Sequence, residues 1–148
     1  MSIVVGVDGS EYARAALLWA LEEAQLRGTD VVAMHVYAPP GSYLPHGHAP
    51  GGWEESATEA IRRGADEVLQ QEVDAVEHEA RRGEVPVKKI ALEDRQPARA
   101  LTEHAGPGDL LVVGSRGHGA LATVLLGSVS HRCIQLARCP VVVLHEHA

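Results

Sequence analysis

A doubly wound α/β fold is the expectation for this sequence, and three features point to it. Short runs of Val, Ile and Leu alternate with helical patterns along the 148 residues. Those runs are continuous and apolar, as strands covered on both faces must be. Aromatic residues make up only 3% of the chain against 45% hydrophobic residues, so the core must rest on Val, Leu, Ile and Ala. Strand–helix alternation implies right-handed crossovers and one five-stranded parallel sheet with helices on both faces.

Taken in order, residues 3–7 are the first strand. Ser10 is placed to cap a helix in which Ala13, Ala16, Leu17, Ala20, Leu21 and Ala24 recur at helical spacing. Gly28 sits where a C-terminal cap belongs. A second strand spans 31–37. The Pro- and Gly-rich stretch 38–53 reads as loop. Ser56 and Glu59 have capping-box spacing and open a long helix with Ile61, Ala65, Val68, Leu69, Val73, Val76 and Ala80 on one stripe, ending near Gly83. The third strand is expected at 85–92. Pro97 starts a short helix through His104. Residues 110–113 form the fourth strand, 128–137 the last helix and 141–144 the fifth strand.

Composition narrows the function. This length suits one domain burying about 70% of the surface its unfolded chain exposes. A net charge of −7 argues against a general nucleic-acid or anionic-membrane binder, which needs a basic face. Two cysteines, Cys133 and Cys139, make no disulfide framework and read as small buried hydrophobes in a reducing compartment. No apolar run approaches the ~20 residues of a membrane span, and no signal peptide is apparent, so we expect a cytoplasmic protein. Arginine-rich, alanine- and glycine-rich usage hints at a bacterial source.

The chemistry concentrates near the C-terminus. The fourth strand runs into Gly114, Ser115, Arg116 and Gly117, and Gly127 with Ser128 then opens a helix. A glycine loop leaving a strand, followed by a helix start, is how a backbone makes a phosphate pocket. The helix start supplies N–H donors and the positive end of a dipole worth about half an elementary charge. Glycine clears space for phosphate oxygens and permits positive φ. Serine adds a hydroxyl for the cap or for an anion.

These residues resemble the G-x2-G-x9-G-(S/T) signature of nucleotide-binding universal stress proteins, here Gly114, Gly117, Gly127 and Ser128. The likeness extends through the opening strand to Asp8 and Ser10, through Met34, His35 and Val36, through 109–114, and through 139–143. It implies a Rossmann-like sheet of order 3-2-1-4-5, so that Asp8 and Gly114 meet where strand order reverses, the place such sheets bind ligands. The resemblance further implies ATP as ligand. Residues 114–117 and the amides of Gly127, Ser128 and Val129 would wrap the phosphates, with Arg116 in reach of an oxygen. Asp8 would hold the ribose hydroxyls, since a carboxylate accepts from a diol and meets phosphate only through Mg²⁺. The Val36 backbone would grip the adenine edge; Gly6, Val7 and Val113 complete the lining. From its position alone, His118 beside the loop reads either as an exposed histidine or as one that adds charge to the site as pH falls. Homodimerisation through the C-terminal strand is also implied, 141–144 being a plausible edge.

Other readings are weaker. Gly117, Gly119 and Ala122 match a dinucleotide fingerprint, but after the penultimate strand instead of the first. No P-loop lysine stands near the glycines. His46, His48, His131, Cys133, Cys139, His145 and His147 lack the spacing of a zinc site. No nucleophile and base are set together by spacing, so a regulatory nucleotide-binding module, with at most slow ATP hydrolysis, leads. Its competitors are a cyclic-AMP binder, an adenylating or phosphotransfer enzyme on a related fold, and an interaction module with a vestigial pocket. One departure from many relatives is the run from Glu93 to Pro97, where they place a glycine before the third helix.

Overall fold

A computed structural model describes residues 1–39, 53–80, 85–117 and 126–145, with side chains omitted over 53–56. Nine elements follow in chain order: β1 Ser2–Gly6, α1 Glu11–Arg27, β2 Asp30–Tyr37, α2 Trp53–Ala80, β3 Val87–Glu93, α3 Pro97–His104, β4 Leu110–Gly114, α4 Ser128–Leu136 and β5 Val141–Leu144. Among the described residues the sheet is five-stranded, its pairings are all parallel, and its order is β3-β2-β1-β4-β5. This is the expected order, with the reversal between β1 and β4.

Strand alternation sends side chains to two cores. Ile3, Val5, Val7, Val31, Ala33, Leu110 and Val112 pack with α1 and α2 residues on one face. Val4, Val32, Met34, Leu111 and Val113 meet Ala98 and Leu101 of α3 and Cys133 of α4 on the other. The expected α1 stripe is the buried one in full. The Ser10 hydroxyl accepts from the Ala13 N–H, and Gly28 closes the helix with φ 67°. Pro97 occupies the first turn of α3, where its missing N–H costs nothing.

Boundaries differ from expectation in a few places. β1 stops at Gly6, one residue early. β3 begins at Val87 instead of 85, because Pro86 offers its carbonyl to the Val31 N–H but has no donor of its own. α2 begins at Trp53, three residues before the expected cap, and residues 56 and 83 contribute no described side chain. Cys133 is fully buried, and burial pushes its thiol up to about 11; Cys139 is only half-buried, against expectation.

The sheet's two ends are unlike. At the N-terminal end Asp109 accepts from the Ser2 and Gly106 amides at 2.9 Å each. Those bonds hold its carboxyl below the ordinary carboxylate range. At the C-terminal end β1 and β4 part into the segments that form the site.

Candidate functional site

Beyond Gly6 the chain turns through Val7, Asp8 and Gly9 into α1. Gly9 has φ 81°, a conformation in which a Cβ costs about 1–2 kcal/mol. Asp8 Oδ1 accepts from the Ser10 amide at 2.9 Å and its hydroxyl at 2.5 Å. That fixes the carboxylate and leaves Oδ2 pointed across the cleft. A Cβ on Gly117 would stand 2.7 Å from Asp8 Oδ2, so the segments leaving β1 and β4 meet at Gly117, whereas the expected partner of Asp8, Gly114, faces Tyr12. Gly117 is what lets the carboxylate lie there.

The far wall is α4. Gly127 is the N-cap, with extended backbone and no side-chain cap. Ser128 therefore occupies the first helical position and is not the cap its residue type suggested. The Gly127 amide is spent on the Ser115 carbonyl at 2.6 Å, so it is not the phosphate donor expected of it. Ser128 and Val129 remain: amides at the first two helical positions have no intrahelical acceptor. Ser130, which sequence reasoning missed, ties the wall down. Its buried hydroxyl donates to the Ser115 and Gly127 carbonyls, 3.0 Å from each. A serine three residues past the glycine was the available signal.

The three motif glycines serve space, not positive φ, since among the described glycines only Gly9 and Gly28 have it. A Cβ on Gly114 would lie 2.7 Å from the Tyr12 carbonyl carbon, so this glycine admits α1 and not a ligand. On Gly127 it would sit 3.4 Å from Arg116 Cα and 3.7 Å from the Gly117 nitrogen, directly against the loop. The Arg116 guanidinium lies 5.8 Å from the centroid of the Tyr12 ring, within cation–π range and at the cleft's edge.

Three predicted lining residues contribute backbone only. Gly6 faces Leu101, whose Cδ1 would be 3.1 Å from a Cβ there. The Val7 and Val113 side chains are buried in the two cores. Val36 packs against the α3-side core, with its backbone at the end of β2. The Val7 amide donates to the Met34 carbonyl at 2.8 Å. Parallel-ladder alternation then directs the Val36 N–H and C=O the same way, towards the end of β1.

His118, Gly119 and Ala122, together with His46, His48, His147 and most of the 38–53 loop, lie outside the described residues. His131 is exposed and Cys133 buried, so that pair cannot share one ion. Near the third strand's end, Asp94 accepts from the Gln96 amide at 2.8 Å, and its own amide donates to the Tyr37 carbonyl at 2.9 Å. The charged run that departs from relatives is thus a hydrogen-bonded turn.

What fold and cleft define is a doubly wound α/β protein whose switch point is lined by main-chain donors and one fixed carboxylate. The universal stress protein family profile matches residues 1–145, and the chain belongs to that family. It is 37% identical over 145 residues to universal stress protein Rv2623 of Mycobacterium tuberculosis; the match takes in 97% of this chain and 45% of that protein. The chain thus spans about half the length of this and other curated mycobacterial relatives it matches. Universal stress protein UspA from Lactobacillus plantarum superposes with a TM-score of 0.78 at 24% identity, over 98% of this chain and 97% of that one. A universal stress protein from Archaeoglobus fulgidus in complex with dAMP gives 0.65 at 26% identity, over 98% of each chain.

Proposed function

We propose that this chain is a non-catalytic, regulatory member of the nucleotide-binding branch of its family, with ATP as ligand. The observation that carries the reading is the meeting of Asp8, Gly117 and the opening of α4 around one cleft. The Ser128 and Val129 amides, the Ser128 hydroxyl, the Gly117 amide and Arg116 would hold the phosphates. Charge-assisted hydrogen bonds are worth about 1.5–3 kcal/mol each, so a few give micromolar affinity despite the chain's net negative charge. Asp8 Oδ2 would accept from the ribose hydroxyls, and the Val36 N–H and C=O would meet the adenine edge. Mg²⁺ fits between Asp8 and a phosphate oxygen only where the two come together. A relative that holds dAMP supports adenine as the base. Cyclic AMP, lacking a polyphosphate tail, would leave the first turn of α4 little used.

The test is calorimetric titration of wild type and Gly127→Val with ATP and cyclic AMP. The valine's Cβ would stand 3.4 Å from Arg116 Cα and from the Ser115 carbonyl oxygen and 3.7 Å from the Gly117 nitrogen, filling the space beside the loop, while the extended backbone at 127 tolerates the residue. ATP affinity is expected to fall at least about tenfold with the far-ultraviolet circular dichroism unchanged. Equal affinity in the variant, or no ATP binding by the wild type, would overturn the reading.

A further inference from the structure

The β1–β2 ladder ends one bond short, and a histidine side chain stands at that point. Its register runs from Ser2↔Asp30 to Gly6↔Met34. Val7 continues it with one bond only, from its amide to the Met34 carbonyl. In a parallel pair the complementary bond would run from the Val36 N–H to the Val7 carbonyl. That bond is not formed. His35 Nδ1 lies 2.7 Å from the Val7 carbonyl oxygen instead. A carbonyl can only accept, so Nδ1 carries the proton and donates. The ring also stacks with that of Tyr37, at a centroid distance of 6.4 Å and an interplanar angle of 29°.

From this geometry we infer that His35 is a positioning residue for base recognition. It occupies the Val7 carbonyl and so keeps the Val36 N–H available at the β1 side of the cleft. The same bond anchors the residue before Asp8, linking base edge and ribose carboxylate through one imidazole. The inference rests on the nucleotide reading above. It adds a specificity device: a main-chain N–H beside a C=O complements adenine, which offers the N1 acceptor next to the N6 donor. Hypoxanthine presents N1–H and O6, the opposite pattern, and should be discriminated against.

The experiment measures dissociation constants for ATP and inosine triphosphate with wild type, His35→Asn and His35→Leu. Asparagine places an amide N–H near the Nδ1 position; leucine has no donor. Wild type should prefer ATP. In His35→Leu the Val7 carbonyl is free to recapture the Val36 N–H, and the preference should fall about tenfold. His35→Asn should keep it within about threefold. A structural defect alone would weaken both nucleotides in proportion and leave their ratio intact. An unchanged ratio in His35→Leu, or equal loss of the ratio in both variants, overturns the inference while ATP binding by the wild type stands. Absence of ATP binding by the wild type overturns the nucleotide reading and this inference with it.

Discussion

Glycine 114 and glycine 127 belong to one motif but answer to different constraints. Gly114 is a packing residue: a Cβ there would meet three Tyr12 atoms, two of them main-chain, at 2.7–2.9 Å. Main chain cannot swing aside as a flexible side chain can, so Gly114→Ala must shift α1 relative to β4. Overpacking of this kind costs about 1–3 kcal/mol. For a chain of this size that lowers the thermal midpoint by about 3–10 °C. A midpoint within a degree of wild type would show that α1 is not so tightly seated. Gly127, with no would-be contact under 3.4 Å, is bounded by the space in front of α4. Its backbone angles do not require glycine, and a Cβ there would stand against the Ser115, Arg116 and Gly117 main chain. A spacing pattern in a sequence cannot separate these two causes, because both leave the same letter.

At the scale of elements, the two edges of the sheet differ. β3 carries Lys88 and Lys89, both exposed, with the Lys89 ammonium donating to Gln70 on α2 at 2.8 Å. Charge in mid-strand is how natural sheets discourage edge pairing. β5, at the other edge, is Val141, Val142, Val143 and Leu144 without a charge. We therefore propose that β5 pairs with its symmetry mate in a homodimer. Leu111 and Ser115 donate to the Pro140 and Leu144 carbonyls, so residues 140, 142 and 144 bond to β4 and the Val143 N–H faces outward. Val143→Pro deletes that outward donor without removing a β4 bond. Light scattering should report a dimer for wild type and a monomer for the variant. A monomeric wild type would contradict the proposal.

Over the whole molecule, the fold was more legible in the sequence than the site. Continuous Val and Ile runs with capped helices between them fix where chain direction reverses, so α3 and β5 were placed to the residue and the others within about four. The α1 stripe was readable because burial of alanine and leucine repeats every three to four residues. The site was only half legible. Asp8 and Gly117, 109 positions apart, are joined by the strand order, which the family resemblance implied and the local pattern alone does not. The His35 bond was invisible, since it depends on where a side chain points once two strands are in register, and the Ser130 bonds had only their spacing from Gly127 as a signal until α4 was seen against the segment after β4. Likewise, the Gly127 amide could not be known to be spent until the Ser115 carbonyl was seen beside it.

The cleft lies wholly at the C-terminal end of the sheet, whereas Thr29 and Asp30 sit at the opposite end, beside Ser2. An amide-resolved NMR titration of the wild-type protein with ATP reads both ends at once. Saturable shifts should appear at Val36, Gly117, Ser128 and Val129, with a smaller response at Gly127, while Thr29 and Asp30 stay in place. Saturable shifts centred on Thr29 and Asp30, or none at the opening of α4, would contradict the account.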